Sequence, residues 1–129
     1  MEKVNRKYPK FGEIYLAELA GGENIQSGIR PVVIAQNNVG NQHSTTVEVI
    51  PMSSRIHKAK YLPTHVLIHP NENNGLKHMS IVLAEQVVTI NQQSLKGYLG
   101  TLDHHSVQLV GQARRIQSPF LNYSDVLQP

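Results

Sequence analysis

The chain has no cysteine and no tryptophan among its 129 residues. Without thiols there is no disulfide, no thiolate nucleophile and no sulfur ligand for zinc. Aromatic residues make up only 5%, so stacking platforms for nucleobases are few. Charge is sparse as well: 16% of residues are Asp, Glu, Lys or Arg, against 40% hydrophobic, which excludes a disordered chain. No apolar run approaches the ~20 residues of a helical membrane span. The opening stretch MEKVNRKYPK lacks the apolar core of a signal peptide. These absences predict a soluble, cytoplasmic protein. A net charge of +3 permits an anionic partner without demanding one.

What is present reads as strands. The length suits one domain over 1–129, with 1–10 and 117–129 as peripheral tails. GEIYLAEL (12–19) alternates as a first strand, and AGGENIQSG (20–28) is a polar Gly-rich loop. PVVIAQ (31–36) is a nearly continuous apolar run, as a strand buried on both faces shows. NNVGNQHS (37–44) predicts a turn, TTVEVIPM (45–52) a third strand, and THVLIH (64–69) another after the basic run SSRIHKAK. PNENNG (70–75) is a turn cluster, and SIVLAEQVVTI (80–90) predicts one long strand. Asn91 is placed to cap a short helical turn through Leu95. Asp103 is placed to cap a helix over about 104–115, with Val107, Val110 and Ala113 inward and Leu109 beside them. No pattern follows Pro119. Five or six short strands with a closing helix predict a mainly β fold, a small β-barrel or half-barrel.

Several chemistries fail on their residues. Seven histidines invite a metal site, but there is no HExxH motif. His65 and His69 on one strand would stand roughly 13 Å apart at ~3.3 Å per residue. His104 and His105 are adjacent on a helix and diverge. There is no GxSxG nucleophile elbow and no GxxxxGKS phosphate loop. Glu85 and Gln86, adjacent in a strand, would face opposite sides.

What remains is a polar, cationic set: Gln26, Arg30, Ser53, Ser54, Arg55, His57, Lys58, Lys60 and His65. Strand ends can bring such groups to one rim, where they suit a phosphodiester backbone. Arg30 stands where the Gly-rich loop at Gly28 becomes a rigid strand, and a guanidinium held there can grip a phosphate at two points. The plainer alternatives are a solvated basic loop for SSRIHKAK and a structural ion pair of Arg30 with Glu48 or Glu85.

The order of segments adds a resemblance. GIRPVVIAQNNVGNQHSTTVEVIPMSSRIHKAKYLPTHV resembles the MazF/PemK toxins, the mRNA interferases of type II toxin–antitoxin systems. These show G-x-R-P-V, then Q-N, a T-V-x-V strand, a Thr/Ser loop, K-A-K and P-T-H-V. SIVLAEQVVTI is similar to their S-V-x-L-x-E-Q-hydrophobic-x-T strand, and TLDHHSVQLVGQA to their closing helix. The likeness runs from about Gly12 to Ala113.

The resemblance implies an SH3-like barrel of the MazF/CcdB kind, working as a homodimer. It implies cleavage of single-stranded RNA at short specific sequences, with no metal or other cofactor. The ribose 2′-OH attacks the adjacent phosphate, leaving a 2′,3′-cyclic phosphate (or 3′-phosphate) and a 5′-hydroxyl. Arg30 matches the catalytic arginine and Ser53 the position usually held by threonine. Gln26, Gly28, Ser54, Arg55, His65 and Gln86 fall where RNA contacts are expected. A MazE/PemI-like antitoxin would lie across the RNA groove, and Gly21, Gly22 and Gly28 predict a loop that changes conformation between free and bound forms. Arginine is a poor base, with a pKa above ~12, so Arg30 is read as stabilising developing charge. The chain departs from the pattern at Ile25, Met79 and Val88, which bear on base preference. Two rival readings keep the barrel without RNA cleavage: a CcdB-like gyrase inhibitor and a degenerate SH3-like binding module.

Overall fold

Strand β1 (Glu13–Leu19) follows Gly12, whose positive φ of 85° turns the chain and whose N–H donates to the Ile34 carbonyl at 2.9 Å. The computed structural model describes residues 7–56 and 62–122. β2 (Gly28–Ile34) follows the Gly-rich loop, and β3 (Thr46–Ser53) follows a short helix α1 (Asn38–His43). Then come β4 (His65–Ile68), β5 (Ser80–Leu83), β6 (Val88–Asn91), β7 (Leu95–Thr101) and helix α2 (His104–Gln117). The strands hydrogen-bond in the order β4-β5-β3-β2-β1-β7, with β6 also on β3, and every pairing is antiparallel. The mainly β architecture with a C-terminal helix is the fold class the sequence predicts.

Side-chain alternation divides the core. One face collects Ile14, Val33, Ile50, Met52 and Val82 against α2, whose Val110 and Ala113 are buried and whose Val107 and Leu109 pack alongside. The other face collects Tyr15, Ala17, Val32, Ile34, Val47 and Val49. β2 and β3 contribute to both clusters, which is why PVVIAQ reads as continuously apolar.

Five local expectations give way. SIVLAEQVVTI is two strands, separated by a 3-10 turn at Ala84–Gln86. β5 pairs with the end of β3 and β6 with its beginning, in registers that differ by three residues; the turn takes up that excess. NNVGNQHS holds a helix, because the Asn37 side chain caps it by accepting from Gly40 N–H at 2.8 Å. Residues 95–101 form a seventh strand; Gly97 and Gly100 weaken its signal in the sequence. After Pro119 a 3-10 turn (Pro119–Asn122) docks back, with Asn122 Nδ2 donating to the Arg115 carbonyl at 3.1 Å. The turn after Asn91 exists (Gln92–Ser94), but the Asn91 side chain makes no capping bond.

Candidate functional site

Arg30 sits two residues into β2, opposite Ala17 of β1. Gly28, at φ 79°, supplies the left-handed turn that a β-carbon would strain. That turn brings the Ser27 carbonyl within 3.0 Å of Arg30 Nε, which donates to it. Fixing Nε leaves the two terminal nitrogens as the exposed edge of the fork, the edge that meets a phosphate in two-point fashion. The guanidinium makes no ion pair among the described residues. Neither proposed carboxylate partner is used: Glu85 binds elsewhere, and Glu48 lines a different cavity.

The Arg30 cavity has a volume of about 330 Å³. Its floor is apolar, with Leu16, Pro31, Met52 and Leu99, and its rim carries Arg30, Ser54, Lys77 and His78. Ser53 is half-buried at the end of β3. The β2–β3 ladder ends at Val32↔Pro51, and Ser53 pairs instead with Ile81 of β5. Ser53 Oγ accepts from Arg55 N–H at 3.2 Å, which uses a lone pair and leaves the hydroxyl hydrogen to donate. Arg55 and Ser54 are exposed beside it.

The 3-10 turn organises the neighbouring wall. Gln86 Oε1 accepts from Gln26 N–H at 3.0 Å and ties the Gly-rich loop down. The loop is also closed on itself: a β-carbon on Gly21 would lie 2.0 Å from the Gln26 carbonyl oxygen. Glu85 accepts from Thr64 Oγ1 at 2.9 Å and pairs with His65 Nε2 at 3.0 Å. Leu62 N–H donates to His65 Nδ1 at 3.3 Å. An Nδ1 that accepts is unprotonated, so this network assigns the ring proton to Nε2, directed at Glu85. His65 therefore has both ring nitrogens engaged and its side chain is only 7% exposed. The expected RNA contact from His65 gives way to a buried clamp that holds the turn. Arg114 reaches from α2 to the Ala84 carbonyl at 3.1 Å and braces the same turn.

The structure thus brings Arg30 and Ser54 onto one cavity and joins Gln26 to Gln86, while Ser53 does not line that cavity. His57, Lys58 and Lys60 lie outside the described residues. Lys77 and His78 were not singled out by sequence reasoning, because they follow a turn cluster with no pattern of their own. A larger cavity, about 420 Å³, lies beneath α2 between Phe11, Ile50, Val110 and Leu121, and none of the expected site residues lines it. Of the expected departures, Ile25 is 60% exposed on the Gly-rich loop and Val88 opens β6 opposite Val49.

Comparison with known proteins bears on this geometry. A family model described as PemK-like, MazF-like toxin of type II toxin–antitoxin system matches residues 10–117. Endoribonuclease EndoA of Bacillus subtilis (strain 168) is 37% identical over 117 residues, covering 88% of this chain and 97% of that protein. Endoribonuclease MazF of Staphylococcus saprophyticus is 43% identical over 105 residues, covering 79% of this chain and 84% of that protein. Among solved structures, an endoribonuclease in complex with its cognate antitoxin from a mycobacterial species superposes with a TM-score of 0.68 at 23% identity, covering 84% of this chain and 93% of that one. That last likeness speaks for the fold alone.

Proposed function

The chain belongs to the PemK-like, MazF-like toxin family of type II toxin–antitoxin systems, and on that premise we propose that it cleaves single-stranded RNA at the Arg30 cavity. The observation that carries the reading is a guanidinium fixed through Nε, free of any carboxylate among the described residues, on a cavity that Ser54 also lines. A stably charged donor without a counter-ion on the protein is suited to an anion brought by the substrate.

In this reading a phosphodiester lies across the terminal nitrogens of Arg30. The ribose 2′-oxygen attacks phosphorus as it loses its proton, and the bond to the 5′-oxygen breaks. That oxygen leaves with a proton as a 5′-hydroxyl, and the phosphate remains as a 2′,3′-cyclic ester. Negative charge grows on the non-bridging oxygens as phosphorus becomes five-coordinate. Arg30 stabilises that charge, and Ser53 donates its free hydroxyl hydrogen to one of those oxygens. Gln26 and Gln86 hold the loop that covers the adjoining nucleotides, with Gly28, Ser54 and Arg55 along the strand's path. A single domain, a homodimer in the cytoplasm and a cognate antitoxin whose acidic segment covers this groove complete the proposal. Membership of a family of type II toxin–antitoxin toxins supports that partner.

The test is cleavage of a long single-stranded RNA in EDTA, with 5′ ends mapped. Discrete cuts leaving 5′-hydroxyls are expected. Arg30→Ala should reduce the rate by about 10²–10³, the usual cost of losing one well-placed donor. Uncut RNA with the purified protein would end the reading.

A further inference from the structure

Resting on the endoribonuclease reading, we propose that Lys77 and His78 form a second phosphate-binding wall, which holds the RNA backbone next to the phosphate on Arg30. Both residues line the Arg30 cavity, and both are exposed. No carboxylate lines that cavity among the described residues. Cationic donors gathered from two separate segments, over an apolar floor, suit a chain of phosphates whose sugars and bases need dry surface.

The segment that carries them is held far more firmly than a surface turn requires. Asn74 is 1% exposed, and its side chain fastens the turn at three points. Its Oδ1 accepts from Asn71 N–H at 3.2 Å and Leu76 N–H at 3.0 Å, and its Nδ2 donates to the His69 carbonyl at 2.9 Å. Asn71 Oδ1 in turn accepts from the N–H groups of Asn73 and Asn74 at 2.8 and 2.9 Å. The turn also lies hard against β7. Thr101 N–H donates to the Asn73 carbonyl at 2.9 Å. A β-carbon on Gly75, at φ 70°, would lie 2.1 Å from the Leu99 carbonyl oxygen, and one on Gly100 2.3 Å from that of Asn73. Beyond the turn, Ser80 Oγ donates to the His78 carbonyl at 3.0 Å, so the pair is anchored on both sides. A binding group held on a rigid support loses less entropy when ligand arrives. Lys77 supplies a point charge and His78 a ring N–H donor.

The test is RNA binding and cleavage by full-length protein carrying Lys77→Gln or His78→Ala. Binding is titrated with a fluorescent, mixed-sequence 2′-O-methyl RNA, which cannot be cut, over a range of salt. Removing one phosphate contact to a single strand should lower the slope of log Kd against log salt by about 0.7. Lys77→Gln should show that drop with roughly threefold to tenfold weaker binding at low salt. His78→Ala should weaken binding to a similar extent, and both variants should raise KM while leaving kcat nearly unchanged. The exposed Lys10→Gln serves as a control whose slope should stay put. Unaltered affinity and slope in both variants would overturn the proposal. So would a fall in kcat at constant affinity, which would assign the pair to the chemical step. Failure of the parent protein to cut RNA would sink the underlying reading instead, and the binding titration separates the two.

Discussion

The usefulness of Arg30 lies in where its planar fork points. The Ser27 carbonyl orients Nε, and Gly28 makes that carbonyl available. The serines raise a sharper question, since two adjacent hydroxyls compete for one phosphate. Ser53 pairs with Ile81 of β5, whereas Ser54 lines the cavity. A hydroxyl that donates to a charged oxygen contributes about 1.5–3 kcal/mol, or roughly tenfold to hundredfold in rate. Ser53→Ala should lose that much in kcat, and Ser53→Thr should keep it, because the β-branch narrows χ1 without removing the donor. Single-turnover cleavage of the same RNA measures both. A full loss in Ser54→Ala with none in Ser53→Ala would shift the assignment by one residue.

At the scale of elements, helix α2 shows how much could be read in advance. Asp103, the inward Val110 and Ala113 and the closing Arg114–Arg115 all signal their roles in sequence, because capping and the 3.6-residue period are local. The Asp103 carboxylate accepts from Ser106 N–H at 2.7 Å. That bond, with the Ser106 hydroxyl second, holds its pKa below 3.8. A carboxylate whose folded pKa is depressed adds stability that is fully present above the unfolded value and fades as pH falls through the folded one. Asp103→Ala should therefore cost about 1 kcal/mol at pH 7. Denaturant melts should show the gap between the two proteins closing below pH 3.8. A gap of the same size at pH 2 and pH 7 would mean the cap is not the cause. The 3-10 turn at Ala84–Gln86 was illegible for the opposite reason. Nothing inside SIVLAEQVVTI breaks a strand; the break comes from β3, which must pair with β6 and β5 in two registers. Arg30 and Ser53 were legible through the family order of their segments. Lys77 and His78 were not, since their position depends on Gly75 and Gly100 letting the turn lie against β7. Glu85 and Gln86 lie in the 3-10 turn rather than in a strand, and they diverge as expected, one to His65 and the other to Gln26.

At the scale of the whole molecule, two cavities compete as landing places for an antitoxin. The Arg30 cavity carries Lys77 and His78 along with the arginine, with no carboxylate in its lining among the described residues. The larger one beneath α2 is mostly apolar and carries Glu48 along with Arg114 and Arg115. An acidic, unfolded tail gains most where cations are unpaired, and ordering it costs entropy that electrostatic attraction helps offset. The two locations make opposite kinetic predictions. A tail in the Arg30 cavity excludes RNA, so a peptide from the antitoxin should raise KM and leave kcat at saturating RNA unchanged. Its affinity should weaken as salt rises, in parallel with that of RNA. A tail beneath α2 leaves the RNA groove open and acts on the Ala84–Gln86 turn through Arg114, lowering kcat at constant KM. We expect the competitive pattern, because Arg30, Lys77 and His78 line the first cavity with no carboxylate beside them among the described residues, whereas the cavity beneath α2 sets Glu48 beside Arg114 and Arg115.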